Sequence, residues 1–149
     1  MAKTRLLTTA FALASLVLVT GCSSLSTVDF RCDPQVNGGL ALTIDVVRAT
    51  EAETQQIRSL GEKWFYDQMR AGLRDRTETV TFTVDGSKER TVQIPKVGKD
   101  DKYLCVVADY KFQNPDPTKH VVVLPREKWL GQKIKIAVRD RELVVTTVW

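Results

Sequence analysis

The stretch that decides the fold reads Tyr103-Leu104-Cys105-Val106-Val107-Ala108-Asp109-Tyr110. Asp109 is its only charged residue, and polar segments precede and follow it. A short apolar run of this kind is typical of a β-strand whose two faces are both buried. The sequence therefore predicts a central strand in a sheet that is covered on both sides.

Seven further segments alternate apolar with polar residues or form short apolar runs, which predicts further strands. They are residues 28–32, 40–47, 79–84, 92–94, 120–124, 134–138 and 143–148. The pair Asp85-Gly86 is typical of a tight turn, so we expect a β-hairpin between the third and fourth strands.

Between the second and third predicted strands the periodicity changes to that of a helix. Thr50 and Glu53 have the spacing of a capping box, which begins a helix. Ile57, Leu60 and Trp64 then recur on one helical stripe. This segment predicts a helical insertion.

Eight short strands with one helical insertion between strands 2 and 3 predict an all-β protein, a two-layer antiparallel β-sandwich. Gly61 is expected to end the first helix of the insertion as its C-cap. The aromatic cluster Trp64-Phe65-Tyr66 is interpreted as the packing face of the insertion rather than as a ligand-binding box.

The N-terminus has the layout of a secretory signal peptide. Lys3 and Arg5 precede an uncharged apolar run over residues 6–19, which is short of the ~20 residues that a membrane-spanning helix needs. The run ends in Val19-Thr20-Gly21-Cys22, which resembles the lipobox of bacterial lipoproteins. That resemblance implies cleavage before Cys22 and attachment of diacylglycerol to its sulfur. Two or more acyl chains give stable membrane anchoring.

These features divide the chain into a signal peptide (1–21), a lipidated tether (22–27) and a β-sandwich domain (28–149). The resemblance to bacterial lipoproteins implies that Ser23, at the second mature position, lets the protein travel to the outer membrane, with the body facing the periplasm. The formal net charge of the whole chain is +4, of which Lys3 and Arg5 supply two, so the segment from Cys22 onward carries +2. Its basic residues are scattered, so the charge gives no indication of a nucleic-acid-binding protein.

Two cysteines remain beyond Cys22. Cys32 and Cys105 can form a disulfide in an oxidising compartment, or Cys105 can be a buried free thiol with Cys32 unrelated to it. The sequence leaves both alternatives open, because spacing alone does not determine which cysteines pair.

No arrangement of residues indicates catalysis, a metal or a cofactor. His120 is the only histidine, and it is expected on an edge or surface. The chain has no Gly-x-Ser-x-Gly, Walker A or Rossmann glycine pattern, and no cluster with metal-ligand spacing. The remaining enzymatic alternative is an envelope hydrolase that uses Cys105 as nucleophile and His120 as base.

The order of these elements resembles the lipoprotein family TssJ of the type VI secretion system. The resemblance rests on the lipobox, the Pro/Asn/Gly loop before an aliphatic strand at 40–47, the aromatic helix around Trp64-Phe65, and the central strand Tyr103-Leu104-Cys105-Val106-Val107-Ala108-Asp109-Tyr110. It implies a transthyretin-like sandwich in the outer membrane that binds the periplasmic domain of an inner-membrane protein, TssM.

In that family the loop between the first two strands contributes to the partner contact. The resemblance transfers this role to Asp33, Pro34, Gln35, Val36, Asn37, Gly38 and Gly39. The alternative function is that of a periplasmic lipoprotein that binds a small ligand, a peptide or an enzyme as carrier or inhibitor.

Overall fold

The computed structural model describes residues 25–95, 97–112 and 114–148. The signal segment 1–21 and the lipobox residue Cys22 lie outside these described residues. The described residues form eight strands: β1 Ser26–Cys32, β2 Leu42–Ala49, β3 Thr77–Phe82, β4 Glu89–Ile94, β5 Tyr103–Ala108, β6 Val121–Pro125, β7 Lys133–Val138 and β8 Leu143–Val148. The α-helices are α1 Glu51–Leu60, α2 Gln68–Gly72 and α3 Arg126–Trp129. Short 3₁₀ segments cover Val36–Gly39, Gly61–Tyr66, Arg74–Arg76 and Pro117–His120.

The strands form two four-stranded sheets. The sheet that we call the β1 sheet has the order β4-β1-β7-β8, and the β2 sheet has the order β3-β2-β5-β6. The predicted all-β two-layer sandwich with eight strands, and with its helical insertion between strands 2 and 3, is thereby confirmed. It is not antiparallel throughout, because β1 and β7 pair in parallel, with Val28 opposite Ile134.

The predicted β-hairpin at Asp85-Gly86 is wrong. A turn does form there, since the Gly86 N–H donates to the Thr83 carbonyl at 3.2 Å. However, β3 pairs with β2 while β4 pairs with β1, so the connection carries the chain from one sheet to the other. Turn residues favour a reversal of the chain and do not determine which strand the returning segment pairs with.

The core lies between the two sheets. Phe30 of the β1 sheet meets Phe82 of the β2 sheet edge to face, with ring centroids 6.3 Å apart. On β5, Leu104 and Val106 face this core, while Cys105 and Val107 face a second apolar cluster under the helical insertion. The central strand is therefore buried on both faces, as its sequence predicts.

The insertion covers the outer face of the β2 sheet. Thr50 and Glu53 form the predicted capping box at the start of α1, and Gly61, with a φ of 53°, ends it. Ile57 and Trp64 are fully buried against the sheet. The interpretation of the aromatic cluster as a packing face is correct for Trp64 and wrong for Tyr66, which lies at the end of the same 3₁₀ segment and is 85% exposed.

All the strands run between two ends of the sandwich. At the end that we call the loop end lie the connections 33–41, 83–88, 109–120 and 139–142. At the other, the tether end, lie Leu25, the connections 95–102 and 126–132, and Val148. Strand β1 begins at the tether end and ends at the loop end. Its first residue is Ser26, two residues before the predicted start at residue 28.

Candidate functional site

The loop between β1 and β2 has an unusual backbone. Asn37, Gly38 and Gly39 have φ angles of 54°, 64° and 78°, three consecutive residues in the left-handed region. Asn and Gly tolerate this region best, which explains why the turn forms here. At Gly38 a Cβ atom would lie only 2.6 Å from the Phe112 ring, so the close approach of these two loops also requires glycine.

Asn37 fastens this loop to its neighbours. Its side-chain amide is buried and donates to the Ala41 carbonyl at 2.9 Å. Its side-chain oxygen accepts from the Lys111 N–H at 2.7 Å, and its own N–H donates to the Asp140 carbonyl at 3.3 Å. Through its side chain and its backbone N–H, this one residue joins three of the four connections at the loop end.

The seven residues that the resemblance proposes for partner contact therefore divide into two groups. Val36 and Asn37 are buried and support the loop from inside. The other five have side chains or backbone at the surface: Asp33, Pro34, Gln35, Gly38 and Gly39. Gly39 is half-buried, and the other four are exposed. A partner can contact only this second group directly.

His120 is not at an edge or surface, and that prediction is wrong. The 3₁₀ turn Pro117–His120 directs the ring inward, where it is 2% exposed and lies 4.9 Å from the Tyr110 ring. Its Nε2 accepts from the Asn114 N–H at 3.1 Å, and the ring also bonds the Arg141 carbonyl. Burial lowers the pKa of His120, so the ring is neutral near pH 7 and holds the β5–β6 and β7–β8 connections together.

Tyr110 adds a second connection to the β7–β8 turn. Its buried hydroxyl lies 3.0 Å from the Arg139 carbonyl and 2.9 Å from the Glu142 carbonyl, and it donates into this turn. Together with Asn37 and His120, it makes the loop end a set of loops that are bonded to one another. Such a surface loses little conformational entropy when it binds a partner.

Large exposed apolar side chains gather at this end. Leu40 and Tyr66 line one groove with Lys63 and Lys111, and Leu40 and Val84 line a depression beside Pro34. The exposed ring of Phe112 lies against Gly38. The sequence analysis did not predict a role for four exposed side chains at this end: Leu40, Tyr66, Val84 and Phe112. Phe112 alone had a detectable signal, because it is an aromatic residue within a polar loop.

The two cysteines are free thiols on different layers. Cys32 lies in the core between the sheets, whereas Cys105 lies beneath α1 with its Sγ 3.7 Å from the Thr54 hydroxyl. The β2 sheet separates the two layers, so the disulfide alternative is not realised. Burial raises the pKa of each thiol to about 11, and neither is a thiolate at neutral pH.

The structure does not bring together the nucleophile and the base of the hydrolase alternative. Cys105 is bonded to Thr54 under the insertion, while His120 is bonded to Asn114 at the loop end. Among the described residues, no group of three or more His, Cys, Asp or Glu side chains could hold a metal ion. Within the same residues, no helix combines the length and the apolar character that crossing a membrane requires.

Comparison with known proteins gives structural similarity only. No protein-family model and no curated protein matches the chain. Among solved structures, the type VI lipoprotein TssJ1 from Pseudomonas aeruginosa matches with a TM-score of 0.57 at 14% identity, covering 83% of this chain and 95% of that chain. Lip from Serratia marcescens, described as a membrane-bound component of the type VI secretion system, matches with a TM-score of 0.56 at 18% identity, covering 84% and 97%.

A further match is a chain in the structure described as the T6SS protein TssM C-terminal domain (869-1107) from EAEC. Its TM-score is 0.65 at 16% identity, and the alignment covers 83% of this chain and 98% of that chain. The matched chain is therefore shorter than this one, and too short to be the TssM domain itself. At these identities the similarity establishes the fold, which this chain shares with type VI secretion lipoproteins.

Proposed function

We propose that this chain is an outer-membrane lipoprotein of the TssJ type. In this proposal Cys22 carries the lipid, the body faces the periplasm, and the loop end binds the periplasmic domain of a TssM-like inner-membrane protein. The observation that carries the proposal is the shared fold, which spans more than four fifths of this chain and nearly all of TssJ1 and of Lip. The match to a short chain in a TssM structure supports the choice of partner.

The direction of β1 supports the placement of the contact. The strand begins at Ser26 at the tether end and reaches Cys32 at the loop end six residues later. At about 3.3 Å per residue the loop end lies roughly 20 Å farther from the anchor. An anchored body can thus present its β1–β2 loop to the periplasm, where the domain of an inner-membrane partner is accessible.

The proposed role is mechanical. Pro34, Gln35, Leu40 and the rings of Tyr66 and Phe112 supply contact area, and the buried bonds of Asn37 hold the loop in one conformation. An interface of ~800 Å² on each side would suffice for stable binding. Large aromatic side chains near the centre of such a patch typically contribute most of the binding free energy.

Two leucines allow a matched test of the contact. Leu40 at the loop end and Leu130 at the tether end are exposed to nearly the same degree, 42% and 40%. We expect Leu40→Asp to weaken binding of the TssM-like periplasmic domain by about tenfold or more, measured by calorimetry on the acylated full chain in detergent. Leu130→Asp should bind like the unchanged protein. Equal affinities of the two variants would contradict the placement of the contact.

The anchor has a separate test. Palmitate labelling of the expressed precursor should label the unchanged protein, and Cys22→Ser should abolish both the label and membrane retention. A labelled Cys22→Ser variant, or one that stays in the outer membrane, would exclude Cys22 as the lipidation site.

A further inference from the structure

Three further exposed apolar residues lie together at the tether end. Leu25, Leu130 and Val148 are 51%, 40% and 38% exposed. Leu25 and Leu130 flank a hydrogen bond in which the Gly131 N–H donates to the Ser26 hydroxyl oxygen at 2.7 Å. The large exposed hydrophobic side chains of the described residues thus divide between the two ends of the sandwich.

Strand pairing brings Val148 to the same end. It pairs with Ile134 of β7, and Ile134 pairs with Val28 of β1, two residues after Ser26. Adjacent strands lie about 4.8 Å apart, so Val148 is roughly 10 Å from β1. The three side chains therefore occupy one end of the sheet, around the point where the chain enters the body.

The length of the chain between the lipid and the body limits where this end can be. Only residues 23–25 separate Cys22 from Ser26, the first residue of β1. At no more than about 3.6 Å per residue, four steps of chain reach roughly 14 Å. Ser26 is held by its bond to Gly131 and by the Thr27 N–H, which donates to the Gln132 carbonyl at 3.0 Å. If the sulfur of Cys22 is acylated, the tether end cannot leave the membrane surface.

We propose that the tether end docks on the phospholipid surface, with Leu25, Leu130 and Val148 inserted at the level of the headgroups. This inference rests on the acylation of Cys22 proposed above. The exposed charges in the two connections at the tether end are of both signs, so the proposed contact is apolar and does not require anionic lipid; they are Lys99, Asp100, Lys102, Glu127 and Lys128. An apolar patch at such a boundary is buried by ~5–10 Å in interfacial proteins.

Docking would fix the orientation of the body on the membrane. A lipid on a short tether keeps the body near the membrane, but only a surface contact fixes its orientation. With the tether end on the bilayer, β1 points away from it and the loop end faces the periplasm. The partner-binding surface is then oriented before the partner arrives, which lowers the entropic cost of binding.

The test uses a fluorophore at one cysteine of the acylated full chain in phosphatidylcholine vesicles that contain nitroxide-labelled lipid. Leu130→Cys places an environment-sensitive label at the tether end, and Leu40→Cys places the same label at the loop end as the matched control. Cys32 and Cys105 are buried with pKa values raised to about 11, so the label attaches to the added cysteine. We expect the lipid to quench the label at position 130 about twofold or more and to leave the label at position 40 unquenched.

Two readouts separate the possible failures. Intact mass and vesicle flotation report whether Cys22 is acylated and holds the protein on the vesicle. If the chain is acylated and floats but the two labels are quenched equally, the docked orientation is wrong and the anchor stands. If the chain is neither acylated nor floats, the anchor is wrong and this inference falls with it. Val148→Cys provides a second label position should Leu130→Cys fold poorly.

Discussion

Each sheet carries an aspartate at the same place in its architecture. Asp29 lies on β1 and Asp45 lies on β2, each on the outer face of the second strand of its sheet. Each accepts a hydrogen bond from a threonine on the adjacent edge strand. The Thr91 hydroxyl donates to Asp29 at 2.7 Å, and the Thr79 hydroxyl donates to Asp45 at 2.6 Å.

The two sites differ in what covers them. Asp29 forms an ion pair with Lys133 at 3.2 Å on the uncovered face of its sheet, and the Asp29 side chain is 25% exposed. Asp45 pairs with Arg70 at 2.6 Å, and the indole N–H of Trp64 also donates to it at 2.9 Å, which leaves the carboxylate fully buried. The same local arrangement is thus a surface ion pair on one sheet and the attachment point of the helical insertion on the other. The comparison indicates that burial, rather than the set of partners, determines how much such a pair stabilises the fold.

The largest expected difference between the sites comes from removing each carboxylate. Asp45→Ala leaves the buried Trp64 N–H without an acceptor and removes the partner of Arg70, whose side chain is 35% exposed, so we expect a loss of about 2–4 kcal/mol in the free energy of unfolding. Asp29→Ala exposes Lys133 and Thr91 to water, and its loss should stay below about 1 kcal/mol. Urea unfolding of both variants measures the difference. Losses of similar size would show that the insertion does not depend on Asp45.

Two tryptophans of the described residues are fully buried, and they allow a second comparison. Trp64 donates to Asp45, whereas the Trp129 N–H, in the core between the sheets, contacts no acceptor among the described residues. Both Trp→Phe substitutions remove similar volume, but only Trp64→Phe removes a hydrogen bond to a charged group. We expect Trp64→Phe to cost about 1.5–3 kcal/mol more than Trp129→Phe in the same unfolding measurement. An equal cost would mean that the indole contributes to the attachment by packing alone.

The elements that depend on neighbouring residues could be predicted from the sequence. The near-continuous apolar run of β5 indicates burial on both faces, and the capping box of Thr50 and Glu53 indicates where α1 begins. Gly61 indicates where it ends. In each case the physical cause lies within a few residues of the effect, in side-chain alternation or in the bonds of a helix terminus.

Features that depend on distant residues could not be predicted. The turn at Asp85-Gly86 is encoded locally, but the pairing of β4 with β1 is decided by residues about 60 positions away. Alternation along β2 places Asp45 on the face opposite Leu42 and Ile44, but it does not indicate that Arg70, 25 residues later, folds back over this face and pairs with Asp45. His120 is polar by type and is nevertheless buried, because Asn114 and Arg141 satisfy both of its nitrogens. The apolar surface at the loop end likewise combines segments that are separate in the sequence.

The smallest expected effect concerns the ionisation of Asp29. Partial burial opposes ionisation, but the hydrogen bonds of Thr91 and Lys133 and the nearby positive charges outweigh it, and the pKa of Asp29 lies below its ordinary value of 3.8. The ionised group therefore contributes stability that is fully present above about pH 3.8 and is lost as the pH falls through the folded-state pKa. Lys133→Gln should raise the pKa of Asp29 toward its ordinary value in a carboxyl-carbon NMR titration, whereas Lys128→Gln should leave it unchanged. If the pKa of Asp29 does not respond to Lys133, the contact between them is incidental. The correspondence between the two aspartates would then extend only to their threonine partners.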